Sequence, residues 1–551
     1  MEYFTPLQNL LKHTARHPNK VFLHQPINRQ WHEFTWADVE HQARCIAAGL
    51  KAQGYKEGAN IGILSKNCAH WCIVDLAIMM AGMVSVPIYP TANRNTISYV
   101  IKHADLKAIF VGKLDDITEA EAAIDESILR VAFPYQTTSA QAMYSSWLSS
   151  YSPLAEIHQP AIDDRATIVY TSGSTGVPKG VVLTHKNWAS AAQCTAAVFN
   201  VSSNDRTLSY LPLAHIVERS GEAIALYVAE QVFFVESLET FIDDLQYAKP
   251  TIFVSVPRLW TIFQSQIFAK ISQKKLNLLL KIPIVGRLIA KKIRAGLGLQ
   301  CATRFGSGTA PIPLSLLHWY EKIGMPISEG WGMTEASSLS CINMPFSKNN
   351  LGTIGQPLAC VEMKLSDEGE ILIRGDAIFS EYYLEPEKNS ESFVDGWFRT
   401  GDCAEVSDDG VYKIIGRIKD KFKTGKGKYV SPVPIESLLS ANTDIEQVCV
   451  MGSGLKQPIA LVVLNGALNR KDNEVENKLK QTLQIVNGKL ESHQRLDFIV
   501  ICKGSWSIDN DLLTPTMKIK RNLVENRYKE IVVEMTSGDI IWEEDISVSR
   551  E

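Results

Sequence analysis

The 551-residue sequence predicts an α/β protein. We expect a large N-terminal domain of layered α/β sheets with a small β-barrel-like unit, followed by a smaller α+β C-terminal domain. Three observations predict it. Strand and helix patterns alternate as far as Glu329, which is the signature of parallel α/β layers. From Leu351 the texture changes to short strands with closely spaced glycines. A basic, glycine-punctuated run, residues 416–428, then separates this part from a compact alternation of strands and helices. A chain of this length also outgrows a single hydrophobic core.

Taken in order, the N-terminus reads as an amphipathic helix (Leu7, Leu10, Leu11) followed by a short strand, Val21-Phe22-Leu23. Residues 36–53 read as a helix, with Thr35 as its N-cap and Gly54 as its stop. Ile61 to Leu64 reads as a buried strand, His70 to Gly82 as a helix, and Val84 to Pro90 as a strand closed by proline. Further strands are expected at Ala108 to Val111, Ile168 to Tyr170, Gln231 to Val235, Ile252 to Val256 and Pro326 to Glu329. The glycines 352, 355, 369, 375, 396, 401 and 410 mark the β-rich unit, about 351–416. The domain boundary is placed at Lys419, giving 1–418 and 419–551.

Net charge of −4 gives no global reason to expect nucleic acid. The ten cysteines contain no CxxC pair, so neither a zinc site nor a disulfide framework is indicated, and a reducing cytoplasm is the expected compartment. The N-terminus lacks the apolar core of a signal peptide. No run of about 18 apolar residues is present, so no membrane-spanning helix is predicted.

The densest chemical signal is Thr171-Ser172-Gly173-Ser174-Thr175-Gly176-Val177-Pro178-Lys179-Gly180. Its glycines let backbone approach a ligand, and its N–H groups, hydroxyls and lysine suit a polyphosphate. It is not a Walker A loop, which ends in Gly-Lys-Ser/Thr. Ser307-Gly308-Thr309-Ala310-Pro311 follows a strand and could lie against a flat ligand. Glu329-Gly330-Trp331-Gly332-Met333-Thr334-Glu335 sets a hydroxyl and a carboxylate after a glycine-flanked aromatic, as a purine face with a magnesium anchor would require. Asp402, ending a strand after Thr400-Gly401, is a natural acceptor for ribose hydroxyls. Singly these are weak signals, since an Asp after Gly is more often a turn residue.

Together, and in this order, these segments resemble the adenylate-forming superfamily of acyl- and aryl-CoA synthetases and luciferases, most nearly its long-chain fatty acyl-CoA synthetases. Leu211-Pro212-Leu213-Ala214-His215, Val256-Pro257-Arg258, Gly416-Arg417 and Thr514-Pro515-Thr516-Met517-Lys518 carry the resemblance further, so that it spans about Pro6 to Glu534. It implies ATP-dependent conversion of a carboxylic acid to acyl-AMP with release of pyrophosphate, then transfer to CoA, with Mg²⁺ as cofactor. It also assigns roles. Thr171, Ser172, Gly173, Ser174, Thr175, Gly176 and Lys179 hold phosphates. Thr334 and Glu335 bind the α-phosphate and Mg²⁺. Ser307, Gly308, Thr309 and Ala310, with Glu329, Gly330, Trp331 and Gly332, line the adenine. Asp402 and Arg417 hold the ribose. Lys518 is the catalytic cation, Lys419 the hinge, and His215 lies near the carboxylate.

The acid is expected to be a long-chain fatty acid, with medium-chain and aryl acids as alternatives. A carrier protein in place of CoA is the alternative acceptor, and a non-catalytic nucleotide-binding relative is the contrasting class. Residues 270–294 carry eight Lys/Arg and no acid among leucines and isoleucines. Such a segment suits either peripheral contact with the anionic inner face of a membrane or a solvated helix pair. Chain-length preference, monomer or homodimer, and the role of the tail from 536 are not encoded in any motif.

Overall fold

The computed structural model describes residues 2–135, 139–171, 177–466, 473–508, 510–514, 517–533 (backbone alone for 530–533) and 538–545. In it the alternating N-terminal pattern builds three sheets. The largest has eight strands. Its centre is parallel, with Val84–Ile88, Asn60–Leu64, Ala108–Val111 and Leu129–Ala132 side by side. Next to Val84–Ile88 runs Arg165–Thr171, which turns back antiparallel into Lys179–Thr184. These strands are apolar on both faces because helices cover both sides.

Local sequence explains the helices. Helix Trp36–Ala52 starts in a capping box, in which Thr35 and Asp38 each accept from the other's backbone N–H. Helix Ala69–Met80, read as 70–82, has all twelve residues buried, so its apolar character runs around the whole circumference. The first strand runs to Ile27 rather than Leu23, because it is paired on both sides, with Gln30–Thr35 and Gln231–Phe234.

A second sheet carries Ile252–Ser255, Arg304–Ser307 and Ile327–Met333 in parallel, then Ser338–Ile342 and Gln356–Pro357 antiparallel. The strand expected to stop at Glu329 continues to Met333, since Ser338–Ile342 folds back along it. That return fixes Gly332, where a Cβ would lie 1.6 Å from the Ser338 carbonyl oxygen.

The glycine-rich region forms an antiparallel sheet of Glu362–Leu365, Glu370–Arg374, Trp397–Val406 and Phe393–Val394, with Tyr412–Arg417 paired along Trp397–Val406. Beyond it, Ile445–Met451, Ile459–Leu464, Ile499–Ile501 and Ile540–Trp542 make a four-stranded sheet. Helices Pro432–Leu439 and Asn473–Asn487 pack against one face, and Val524 and Tyr528 of helix Arg521–Val533 against the other. Arg258 and Glu446 pair at 3.1 Å across the cleft between this part and the larger one.

Candidate active site

Thr171 and Lys179 are cross-strand partners at one end of the sheet. Ser172, Gly173, Ser174, Thr175 and Gly176 lie outside the described residues. The Lys179 ammonium stands 5.1 Å from the centroid of the Tyr382 ring. The Tyr382 hydroxyl in turn donates to Glu335 Oε1 at 2.8 Å. Burial, together with the Glu335 charge, pushes the Tyr382 phenol far up, so it stays a donor. Thr334 and Glu335 start a short 3₁₀ turn at the end of strand Ile327–Met333, and the Phe379 N–H holds the Glu335 carbonyl at 2.7 Å.

Ser307 ends its strand opposite Glu329, which brings the Ser307–Ala310 segment beside the Glu329–Gly332 segment. Glu329 accepts from the Gly352 N–H at 2.6 Å, and burial pushes its carboxyl up to about 7. Trp331 does more than present a flat face. Its indole N–H donates to Asp402 Oδ2 at 2.9 Å, while Arg417 Nε donates to Asp402 Oδ1 at 2.7 Å. Asp402 and Arg417 are themselves cross-strand partners, so the sheet register sets the pair. Asp402 is buried; Arg417 keeps half its side chain in solvent.

His215 caps helix Ile216–Val228, its Nδ1 accepting from the Val217 N–H at 3.2 Å. That bond leaves the proton on Nε2. Burial, with Lys518 adding to it, lowers the imidazole to about 4, so His215 is neutral at pH 7. Lys518 follows Met517, whose φ of 62° makes a left-handed turn, and its N–H donates to Thr514 Oγ1 at 3.1 Å. The turn delivers the Lys518 ammonium into the cleft. The residue is exposed, but the neighbouring cleft walls desolvate its ammonium in part and, with the Arg417 charge, lower its pKa, while Asp402 and Glu335 act the other way.

All the described candidate residues, from Thr171 and Lys179 to Asp402, Arg417, Lys419 and Lys518, line one cavity of about 2090 Å³. The lining of the same cavity also includes the apolar side chains of Phe22, Leu23, Ile224, Val232 and Phe234. Sequence reading missed Tyr382, and it missed the half-buried Glu218 and the buried Glu222 of helix Ile216–Val228. Burial pushes Glu218 up to about 8, and burial with the Asp75 charge does the same for Glu222. Only the helical spacing 215, 218, 219, 222 hinted at a shared face.

Comparison with known proteins identifies the family and the fold. A family model described as AMP-binding enzyme matches residues 10–383, and one described as AMP-binding enzyme C-terminal domain matches 420–538. The long-chain-fatty-acid–CoA ligase FadD15 of Mycobacterium bovis is 29% identical, the alignment covering 94% of this chain and 95% of that protein. Human long-chain-fatty-acid–CoA ligase 1 is 27% identical over 91% of this chain and 82% of its own length. Among solved structures, the anthranilate CoA ligase AuaEII in complex with anthranoyl-AMP superposes with a TM-score of 0.81 at 22% identity, covering 96% of this chain and 98% of that one. ATP-bound MatB from Rhodopseudomonas palustris gives 0.74 at 21%, over 96% and 100%. With its matched family models covering most of its length, the chain belongs to the AMP-binding enzyme family.

Proposed function

We propose that this protein activates a long-chain fatty acid with ATP, forming acyl-AMP and pyrophosphate, and then transfers the acyl group to CoA with release of AMP. One observation carries the reading. Lys518, some hundred residues beyond the nearest of them, shares one cavity with Asp402, Arg417 and Glu335, close enough for each of these charges to act on its ammonium.

In the first step a carboxylate oxygen attacks the α-phosphorus and pyrophosphate leaves, so one anion must approach another. Charge neutralisation and positioning are then the main tasks. Lys518 would bridge the carboxylate and the α-phosphate. Asp402, fixed by Trp331 and Arg417, would take the ribose hydroxyls. The Glu329–Gly332 and Ser307–Ala310 segments would hold the adenine between them, and Lys179 with the hairpin loop would steady the leaving phosphates. His215, neutral with its proton on Nε2, would donate to the acid without adding charge. Magnesium fits this donor set: among the described residues no cluster of three or more His, Cys, Asp or Glu builds a cage, and Glu335 offers a single carboxylate at the wall. Such an ion takes one carboxylate plus substrate phosphates, whose charge it neutralises. The second step needs a thiol where the lysine stood. That supports a division into 1–418 and 419–551 with Lys419 as the hinge.

Pyrophosphate release across straight-chain acids from hexanoate to eicosanoate and aryl acids, with and without CoA, tests the reading. Long-chain-dependent release with a CoA thioester is the expected result. Release without thioester would point to a carrier-protein acceptor, and preference for aryl acids would overturn the fatty-acid assignment.

The basic segment supports a peripheral membrane contact within the same reading. It folds as helices Gln273–Leu280 and Pro283–Gly296, which leave Leu278, Ile284 and Leu288 at 65%, 75% and 63% exposure. Apolar side chains beside an unbroken set of cations match an anionic bilayer, the phase in which long-chain acids reside. Cosedimentation with phosphatidylglycerol vesicles should be salt-sensitive and lost on Ile284→Glu with Leu288→Glu. Unchanged binding would refute this contact.

A further inference from the structure

We propose that Lys388 is a pyrophosphate ligand, which trades its salt bridge with Glu385 for a β- or γ-phosphate oxygen while the acyl-adenylate forms. The inference rests on the adenylation reading and extends it to a helix outside every motif identified in the sequence.

Lys388 sits in helix Pro386–Ser392, directly after the strand that carries Tyr382. Asn389 clamps the two together: its Oδ1 accepts from the Tyr382 N–H at 2.7 Å and its Nδ2 donates to the Tyr382 carbonyl at 3.0 Å. Tyr382 is the residue that holds Glu335 with its hydroxyl and faces Lys179 with its ring. The position of Lys388 is therefore tied to the metal-binding carboxylate and to the phosphate lysine through one residue.

The Lys388 ammonium rests on Glu385 at 2.8 Å, with 40% of its side chain exposed, and lines the same cavity as Lys179 and Lys419. An exposed pair three residues apart is weak and is readily exchanged for a polyanion. Electrostatics identify the direction in which it acts. Burial lowers the Lys179 pKa, and the next contributions come from Lys388 and Lys419, with Glu335 and Glu385 opposing. Three ammonium groups thus face two carboxylates, leaving positive charge in excess at the place where pyrophosphate departs. Like charges held together without a ligand are unfavourable, and a multiply charged phosphate relieves that repulsion.

Acid-dependent ATP–pyrophosphate exchange tests this in the full-length protein. In the exchange a pyrophosphate oxygen attacks the α-phosphorus of acyl-AMP, the carboxylate leaves with the bonding pair, and ATP re-forms. Lys388→Ala should raise KM for pyrophosphate about tenfold with little change in kcat, and Lys388→Arg should restore most of it. Thioester formation from synthetic acyl-AMP, a step without pyrophosphate, should stay within about twofold. An unchanged KM for pyrophosphate in Lys388→Ala overturns the proposal. So does an equal loss in the thioester step, which would mark a merely structural role. A wild-type protein without acid-dependent exchange overturns the parent reading, and this one with it.

Discussion

Replacing Asp75 by Asn should destabilise the protein modestly, and replacing Glu222 as well should destabilise it severely. Arg219 is fully buried, pairs with Asp75 at 3.0 Å, and is stacked between Trp71 and Trp188 at 4.7 and 4.4 Å. One helical turn on, burial and the Asp75 charge push the Glu222 carboxyl up to about 8, with Arg219 pulling the other way, so it is mostly a neutral acid at pH 7. In Asp75→Asn the repelling charge disappears while the arginine stays. Glu222 should then ionise and take over as counter-ion, limiting the loss to about 1–2 kcal/mol. Glu222→Gln alone replaces one neutral group by another and should cost below about 1 kcal/mol. The double variant strands a buried guanidinium, at a cost of about 3–5 kcal/mol. Urea unfolding of the four proteins at pH 7 reads the coupling, expected at about 2 kcal/mol. Additive single effects would refute the charge-transfer reasoning.

The pH dependence gives an independent check. Glu222's folded pKa lies above its ordinary 4.5, so its contribution to stability is complete below that value and is lost as pH rises through about 8. Above about pH 6.5, where the buried imidazoles of His70, His185 and His215 are neutral folded or unfolded and no longer act in the opposite sense, wild-type stability should therefore decline. The decline should be shallower in Asp75→Asn, in which, among the described residues, Glu218 and Glu230 keep pKa values near 8 and Glu329 near 7 while Glu222 is relieved of the Asp75 charge.

Three further outcomes are expected at the site. Lys518→Ala should slow acyl-AMP formation by about 10³-fold while ATP-analogue binding stays near wild type, read by single-turnover assay and calorimetry; near-normal adenylation would remove Lys518 from the chemistry. Asp402→Asn should raise KM for ATP by about tenfold or more, because the carboxylate held by Arg417 and Trp331 becomes neutral, and Trp331→Phe should give a smaller rise. Lys419→Pro should suppress thioester formation at least about tenfold more than adenylation, as the two separated half-reactions would show; equal losses would argue against the hinge.

Much of this was legible in the chain because local rules were obeyed. Thr35 and Asp38 write a capping box, and the apolar runs at Ile61 and Ala108 are short and β-branched enough to read as buried strands. The candidate residues were legible for a different reason: phosphate, purine and ribose each demand a residue type, and those types stood in short runs. Strand ends were less legible. The strand through Trp331 is lengthened by a return strand that its own residues do not encode, and Gly332 is required only because Ser338 lies against it.

By itself the sequence determined the α/β alternation, the segments proposed to bind nucleotide and the lysine expected to do the chemistry, since each is a matter of residue type and near-neighbour spacing. Only the tertiary structure decided that Trp331 donates to Asp402, that Tyr382 joins Lys179 to Glu335, and that Lys518 lines the same cavity as all of them. It also decided which carboxyls are charged. Glu218 and Glu222 look like ordinary surface acids in the chain, and only burial, with Asp75 and Arg219 brought alongside Glu222, sets their protonation. The physical reason is the same throughout: side-chain type is local, whereas desolvation and charge pairing depend on partners that folding brings together from distant parts of the chain.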